Sequence, residues 1–229
     1  MEKRSVAIDG PAGAGKSTLA KMAAKEFGLI YVDTGALYRC VGLHVLQNGV
    51  GSRDAEKIEK LLGGMKIEMC HDADGVQRMI LNEIDVTDNI RTPEVSTYAS
   101  DVSAIPIVRD FLFAQQKEMA EKYDVIMDGR DIGTVVLPNA GLKIFLTASP
   151  DVRSMRRYKE LIEKGISTTY DEVLAAVNER DYNDSHREVA PLKPAETSVI
   201  LDTSELSLEE SFQKLCSVIR EKFQNDGGI

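Results

Sequence analysis

A glycine-rich motif able to hold a polyphosphate follows the apolar run Val6-Ala7-Ile8-Asp9. Glycines let successive backbone N–H groups turn inward around phosphate oxygens, the ammonium of Lys16 can neutralise a phosphate being transferred, and the Ser17 hydroxyl can ligate Mg²⁺. The good helix formers that begin at Thr18 place this loop at a helix N-terminus, which attracts anions. Because strand, loop and helix follow in that order, a chance match is disfavoured. The motif predicts binding of a nucleoside triphosphate such as ATP by Gly10, Pro11, Ala12, Gly13, Ala14, Gly15, Lys16, Ser17 and Thr18.

Apolar runs rich in β-branched residues are expected to position this loop. They are Ser5–Asp9, Leu29–Asp33, Asp124–Asp128, Leu142–Thr147 and Ser198–Asp202. Their continuous apolar character, with helical stretches between them, predicts parallel strands that are covered on both faces. The pattern therefore indicates an α/β fold with a five-stranded parallel sheet.

Most of these runs end in an aspartate, namely Asp9, Asp33, Asp128 and Asp202. Ligands of parallel sheets bind beyond the carboxyl ends of the strands, so we expect these side chains to face a site. The alternative is that they cap the next helix or turn. We favour the alternative for Asp202, because Thr203 and Ser204 follow it.

The stretch between the second and third runs changes character. Met65–Cys70 and Gln77–Asn82 have the pattern of short strands around a turn at 71–75, which predicts a β insertion. Helices are expected to follow at Pro93–Ala104 and Pro106–Lys122, since proline is favoured in the first helical turn.

Composition restricts the class of protein. The chain has 229 residues, 43% of them hydrophobic, which is enough for one main domain. A net charge of −9, with charges mixed along the chain, argues against a nucleic-acid partner. No apolar run approaches the length that a bilayer requires, so we expect no membrane partner. The three cysteines (Cys40, Cys70 and Cys216) have no disulfide or metal-ligand spacing, which favours reduced thiols in the cytoplasm.

Arginines follow two of the predicted strands. Arg39 lies one helical turn beyond Gly35, and the third strand ends in Asp128-Gly129-Arg130-Asp131. Arginine grips a phosphate or a planar base edge bidentately, and Asp131 can hold an arginine or accept from an amino group. Structural salt bridges are the alternative interpretation.

Two later helices carry further charges. Thr169 and Glu172 form a capping box, and the apolar stripe of that helix continues on the same face into Arg180, Asp184 and Arg187, which indicates a cleft. We expect Asp184 to hold Arg180 as one unit. The helix after Ser149 carries Arg153, Arg156 and Arg157, which suit a mobile lid over a triphosphate. An ordinary solvated face is the alternative.

Together these residues resemble the bacterial cytidylate kinases, the long bacterial type of nucleoside monophosphate kinase. The resemblance covers nearly the whole chain, and only the glycine-rich loop is generic. It rests on Ile8–Thr18, Asp33–Arg39, Ile90–Val95, Asp128–Val136, and Glu179-Arg180-Asp181 with Asp184, Arg187 and Ala190-Pro191-Leu192.

The resemblance implies a P-loop NTPase fold in a single domain, with a small β insertion and a helical lid. The core would comprise about 1–48, 105–148 and 188–225, the monophosphate-binding region about 49–104, and the lid about 149–187. Thr34, Arg39 and Arg130 would hold the CMP phosphate, while Ser100, Arg109 and Asp131 would read the cytosine. Arg180 and Asp184 would engage the ribose, with Arg187 nearby.

The reaction implied is phosphoryl transfer from ATP to CMP or dCMP by a monomer. Mg²⁺ would be held by Ser17 and, through water, by Asp128. Lys16, Arg130, Arg153, Arg157 and Arg187 would neutralise the transferring group. Two alternatives stay open, namely a P-loop kinase for another monophosphate or a small hydroxy acid, and a nucleotide switch. The sequence lacks the Asn-Lys-x-Asp of guanine switches, and Gly129 follows Asp128 where a motor-type ATPase has glutamate.

Overall fold

Two β-sheets organise the part of the chain that the computed structural model describes, residues 3–72 and 76–225. The strands, in chain order, are β1 (Ser5–Asp9), β2 (Ile30–Asp33), β3 (Ile67–His71), β4 (Gln77–Leu81), β5 (Ile84–Asp85), β6 (Val125–Gly129), β7 (Leu142–Thr147) and β8 (Val199–Asp202). The helices are α1 (Lys16–Phe27), α2 (Thr34–Gln47), α3 (Ala55–Leu62), α4 (Pro93–Val102), α5 (Pro106–Lys122), α6 (Pro150–Glu163), α7 (Tyr170–His186) and α8 (Leu208–Asn225).

The larger sheet confirms the predicted parallel strands, but not the expectation that all of them are covered on both faces, because three of the four residues of the edge strand β8 are exposed. Within the described ranges it has five strands in the order β2-β6-β1-β7-β8. Each of the five apolar runs forms one of these strands, and the observed ends differ from the predicted ones by at most one residue. In the parallel register of β1 and β6, Ile8 pairs with Asp128 and Asp9 with Gly129. The carboxyl ends of these two strands therefore meet at one edge of the sheet.

The smaller sheet is the predicted β insertion, with a strand that the sequence pattern did not predict. Its order is β3-β4-β5, and β3 pairs with β4 in an antiparallel register from Ile67 with Leu81 to His71 with Gln77. β5 is only two residues long, too short for a periodic signal. Residues 73–75 of the predicted turn lie outside the described residues, as do residues 226–229.

Helix ends follow local capping chemistry. The Thr169 hydroxyl accepts from the Glu172 N–H and the Glu172 carboxylate accepts from the Thr169 N–H, which confirms the predicted capping box of α7. α5 has the predicted ends, whereas α4 ends at Val102, two residues before the predicted end. α3 begins after Asp54, whose carboxylate caps it, and was not predicted.

The chain divides into two compact units, and each has its own core. One comprises Met1–Tyr31 with Tyr123–Ile229, and its core is built from β1, β7, α1 and α8. The other comprises Val32–Lys122, and its core joins α2, α4 and α5 to the inner residues of the insertion, such as Met79. Burial of each large apolar side chain in these cores contributes roughly 1.5–3 kcal/mol to the stability of the fold. Among the described residues no helix is both long and apolar enough to cross a membrane. The proposed division into core, monophosphate-binding region and lid remains a prediction.

Candidate active site

The glycine-rich loop connects β1 to α1 and begins with a residue that must be glycine. Gly10 has φ +150°, and a Cβ there would overlap the carbonyl of Leu146. Gly15, at the N-terminus of α1, is left-handed with φ 92°. The amides that follow Gly15 therefore open the first helical turn, where an anion is stabilised.

Lys16 lies inside this loop rather than in solvent. Its side chain is buried, and its Nζ donates to the Pro11 carbonyl at 2.8 Å. Burial, followed by the charge of Arg130, lowers the pKa of Lys16 to about 7, although Asp128 and Asp184 oppose the shift. An arriving polyphosphate would favour the charged ammonium, so anion binding and protonation of Lys16 support each other.

Asp128 is held from two sides at the carboxyl end of β6. The Ser17 hydroxyl donates to its Oδ2 at 2.8 Å, and the Tyr31 hydroxyl donates to its Oδ1 at 2.8 Å. The predicted metal residues Ser17 and Asp128 are therefore in direct contact. Their hydroxyl and carboxylate oxygens are the hard donors that Mg²⁺ prefers.

Asp9 caps a backbone turn, so the capping alternative applies to it as well. Its two carboxylate oxygens each accept a 2.7 Å hydrogen bond, from the N–H groups of Ile132 and Gly133. These residues begin a π-helical turn, Ile132–Val136, directly after Arg130 and Asp131. Burial raises the pKa of Asp9 to about 6, although the two backbone hydrogen bonds oppose the shift. Asp9 thus fixes the loop that carries two predicted substrate residues.

The raised pKa of Asp9 predicts a specific pH dependence of stability. The folded pKa, about 6, lies above the ordinary 3.8, so between these values the folded protein binds more proton than the unfolded chain. The stabilisation that Asp9 contributes therefore increases as pH falls and is lost as pH rises through about 6. In Asp9→Asn this dependence should be absent. We expect the difference in unfolding free energy, wild type minus variant, to increase by roughly 1–1.5 kcal/mol from about pH 7.5 to about pH 5.

Urea unfolding of both proteins at the two pH values measures this difference directly. Groups that titrate equally in the two proteins cancel when the unfolding free energy of the variant is subtracted from that of the wild type. The difference therefore reports Asp9 alone. Parallel pH dependence in the two proteins would contradict the assignment of the raised pKa to Asp9.

Arg130, which directly follows β6, forms a largely buried ion pair with Asp184 of α7. The Arg130 Nε donates to Asp184 Oδ2 at 2.7 Å. Burial alone would raise the pKa of Asp184, but the charges of Arg130 and Arg180 hold it below its usual range. The sequence led us to expect that Asp184 would hold Arg180 as one unit. The structure adds Arg130 as its hydrogen-bonded partner, while Arg180 acts on both Asp184 and Lys16 through its charge.

Asp131 holds an arginine, as one of its two predicted roles required. Arg187 Nη2 lies 3.5 Å from Asp131 Oδ1, and both side chains are buried. The Arg187 Nε also donates to the Ala190 carbonyl at 2.7 Å. The end of α7 thus presents charges that are anchored in place rather than a solvated face.

The arginines of α6 are in different environments. Arg153 is only 3% exposed, binds both oxygens of Asp181 at 3.0 and 2.5 Å, and donates to the Ala12 and Ala148 carbonyls. Arg156 donates to the Thr203 carbonyl. Arg157 is partly exposed and pairs with Glu160 at 2.7 Å. The start of α6 is therefore fixed to the glycine-rich loop, and Arg157 is the more accessible of the two predicted catalytic lid arginines.

An open groove of about 430 Å³ adjoins the glycine-rich loop. Its lining includes Pro11, Thr147, Ser149, Arg153, Asp181 and Ser204. Asp202 also lines it and accepts from the Ser204 N–H and hydroxyl, which confirms the turn-capping interpretation of that residue.

The second unit carries a separate set of predicted residues at the start of α2. The Asp33 carboxylate caps α2 through the Ala36 N–H at 2.9 Å and binds Arg39 Nη2 at 2.8 Å. Arg91 Nη2 lies 3.8 Å from Asp33 Oδ2, the oxygen that Arg39 binds. Thr34 is buried at the first position of the helix. Thr34 and Arg39 are thus brought to one helix end.

Arg109 and Ser100 are linked through the chain between them. Arg109, which is buried in α5, donates from Nη1 to the Ser103 carbonyl at 3.2 Å, and the Ser103 hydroxyl donates to the Ser100 carbonyl at 2.8 Å. The guanidinium also lies over the Tyr38 ring, 5.8 Å from its centroid. α4 and α5 therefore position these two residues relative to α2.

Comparison with known protein families identifies the family of this chain. The family model described as cytidylate kinase matches residues 6–221. The chain belongs to the cytidylate kinase family. The cytidylate kinase of Caldicellulosiruptor bescii is 49% identical over 226 residues, which cover 99% of this chain and 100% of that protein. The cytidylate kinase of Streptococcus pneumoniae (strain 70585) is 47% identical over 94% of this chain and 96% of its own.

A solved structure supports the fold alone. An uncharacterized protein from Eubacterium ventriosum superimposes with a TM-score of 0.51 at 11% identity, covering 96% of this chain and 99% of that one. With the cytidylate kinase family established, the fold is the predicted P-loop kinase fold, a five-stranded parallel sheet flanked by helices.

Several residues of this cytidylate kinase family member support the site without having been predicted from sequence. Tyr31 holds Asp128, Asp181 holds Arg153, and Arg91 approaches Asp33. Tyr31 lay within an apolar run, where a tyrosine gives no separate signal. Arg91 and Asp181 lay inside motifs that carried the family resemblance, and their partners depend on tertiary contacts.

Proposed function

We propose that the protein transfers the γ-phosphoryl group of ATP to CMP or dCMP, giving ADP and CDP or dCDP. The observation that carries the proposal is the set of anchored arginines near Lys16. Arg130 and Arg187 are each held by a buried carboxylate, and the charges of Arg130 and Arg180 both act on Lys16. A fixed group of cations suits an acceptor that is itself a phosphate, because two anions must be brought together.

The donor side of the proposal rests on residues 10–18. Their amides and Lys16 would hold the phosphates of ATP, and the adjoining groove offers room for its nucleoside. Arg153 already contacts Ala12 in this region, so it would serve there as an anchor between loop and lid. Arg157, held by Glu160 at the partly exposed face, would turn toward the transferring phosphoryl when the lid at about 149–187 closes.

Magnesium is the cofactor that the donor set fits. Ser17 would provide a hydroxyl ligand and Asp128 a carboxylate that acts through water, while Tyr31 keeps Asp128 oriented. When bound, Mg²⁺ supplies positive charge to the β- and γ-phosphate oxygens of ATP. The residues present therefore match an ion that binds through few protein oxygens and through the substrate.

The acceptor side is assigned from the family resemblance. Thr34, Arg39 and Arg130 would hold the phosphate of CMP. Ser100, Arg109 and Asp131 would read the cytosine. Arg180 and Asp184 would engage the ribose, with Arg187 beside them. The core, the monophosphate-binding region at about 49–104, a monomeric state and a cytoplasmic location complete the proposal.

The chemistry requires no general base from the protein. An ionised oxygen of the CMP phosphate forms a bond to the γ-phosphorus while the bond from that phosphorus to the bridging oxygen breaks, and the electron pair leaves with ADP. Lys16 and the arginines neutralise the charge that moves onto the bridging oxygen. Exclusion of water by the lid prevents hydrolysis.

A panel of acceptors with ATP tests this function. Buried donors and acceptors set for cytosine are left unpaired against a purine, so we expect kcat/KM for CMP to exceed that for AMP and GMP by on the order of 10³-fold. UMP should be poorer than CMP but measurable. Equal use of AMP would reject the cytidylate assignment and retain a kinase.

The same panel separates the alternatives. Shikimate or gluconate as acceptor tests a hydroxy-acid kinase, and ADP release without any acceptor tests a nucleotide switch. A rate with ATP alone that matches the rate with CMP would favour the switch. We expect the rate of ADP release without an acceptor to be at most about a hundredth of that with CMP, because the site is arranged for a phosphate as the acceptor.

A further inference from the structure

Gln77, the first residue of β4, links the β insertion to the end of β2. Its side chain is 7% exposed, and its Oε1 accepts a hydrogen bond from the Asp33 N–H at 2.9 Å. β2 is an edge strand in the order of the described sheet, so some of its backbone N–H groups face no neighbouring strand. One of those donors is satisfied by a side chain of the insertion.

Asp33 in turn determines the geometry at the start of α2. Its carboxylate caps the helix at Ala36 and holds Arg39 at 2.8 Å. The Arg39 Nε is buried and has no hydrogen-bond partner among the described residues, so this donor of the guanidinium is unsatisfied. The backbone position of Asp33 therefore sets where Arg39 is held.

We propose that Gln77 is a positioning residue for the acceptor phosphate, through Asp33 and Arg39. This inference rests on the proposed function, in which Arg39 holds the phosphate of CMP. It gives the β insertion a role in the reaction, because β4 of the insertion fixes Asp33, the last residue of β2 before the phosphate-binding helix α2. A Gln77 that only stabilised the fold would affect both substrates or neither.

Replacement of the amide by a thioether tests the link with little change of shape. In Gln77→Met the Asp33 N–H loses its acceptor, so Asp33 and Arg39 shift together. We expect KM for CMP to rise about ten-fold, with KM for ATP within about two-fold of wild type. Gln77→Leu removes the same acceptor with a shorter side chain and should give the same split.

A double variant shows whether the effect passes through Arg39. If Gln77 acts by placing Arg39, then Gln77→Met added to Arg39→Ala should raise KM for CMP no further than Arg39→Ala alone. Arg78→Ala is the matched control, because Arg78 is the next residue of β4 and pairs with Asp85 rather than Asp33. It should leave KM for both substrates at the wild-type value.

The outcomes are distinct. Wild-type protein that fails to phosphorylate CMP rejects the proposed function itself. With CMP turnover present, an unchanged KM for CMP in a folded Gln77 variant overturns the role of Gln77, as does an equal rise in KM for ATP. Full additivity with Arg39→Ala also overturns it. Loss of folding in both Gln77 variants assigns the residue to stability and overturns it as well.

Discussion

Lys16→Ala is expected to lower kcat for phosphoryl transfer by on the order of 10²-fold or more, the loss typical of one preorganised electrostatic donor. The ammonium follows the charge that develops on the bridging oxygen, whereas the backbone amides of residues 10–18 continue to hold the phosphates. KM for ATP should therefore change less than kcat. Steady-state kinetics with saturating CMP and varied ATP measures both quantities.

A cation on the same helix provides the control for Lys16. Lys25→Ala removes an exposed lysine from the last turn of α1 and should leave kcat unchanged. Urea unfolding shows whether Lys16→Ala is folded. We expect it to fold, because the variant no longer has to bury an ammonium group. A folded Lys16→Ala enzyme with wild-type kcat would remove Lys16 from the mechanism.

Loss of either partner of the Arg130–Asp184 pair is expected to raise KM for CMP by on the order of 10²-fold and to leave KM for ATP nearly unchanged. Both side chains are largely buried, so each single variant leaves the other charge without its hydrogen-bonded partner. Breaking a buried pair in this way typically lowers the free energy of unfolding by about 3–5 kcal/mol. Asp184→Ala also frees Arg130 to adopt other rotamers. Because the two residues act together, the double variant should lose clearly less than the sum of the single losses.

An exposed pair in the same unit is the matched control. Arg220 and Glu26 are 2.7 Å apart, as Arg130 and Asp184 are, but both side chains remain more than two-fifths exposed. Arg220→Ala and Glu26→Ala should therefore change neither KM, and their effect on stability should be at most about 1 kcal/mol. Additive losses in the Arg130 and Asp184 double variant would show that the two residues act independently.

Local signals account for most of what the sequence predicted correctly. The five strands of the parallel sheet were predicted from continuous apolar runs, which are typical of parallel strands. β8 shows that the pattern identifies a strand without fixing its burial, because three of its four residues are exposed. The start of α7 was found because Thr169 and Glu172 satisfy each other's backbone groups within one turn. In the candidate site, the contact between Ser17 and Asp128 agreed with the expectation that strand ends and the glycine-rich loop share one edge.

Tertiary partners could not be read from spacing. Helical periodicity correctly placed Arg180 and Asp184 on α7, but the carboxylate also turns to Arg130, which is 54 residues away in sequence. The same limit applies to Gln77, whose partner Asp33 lies 44 residues earlier. α3 is an exception, because its N-cap signal, Asp54 ahead of Ala55–Leu62, is local.

The buried carboxylate of Asp9 has a consequence for how this chain can change by mutation. With its pKa raised to about 6, Asp9 at neutral pH is an ionised group whose charged form the folded protein disfavours by about 3 kcal/mol relative to the unfolded chain. Selection for heat resistance alone would thus favour an uncharged residue there. Selection for growth that depends on turnover should retain the aspartate, because its two oxygens hold the turn after Arg130 and Asp131. Position 9 is therefore where a library screened for stability and one screened for activity should diverge.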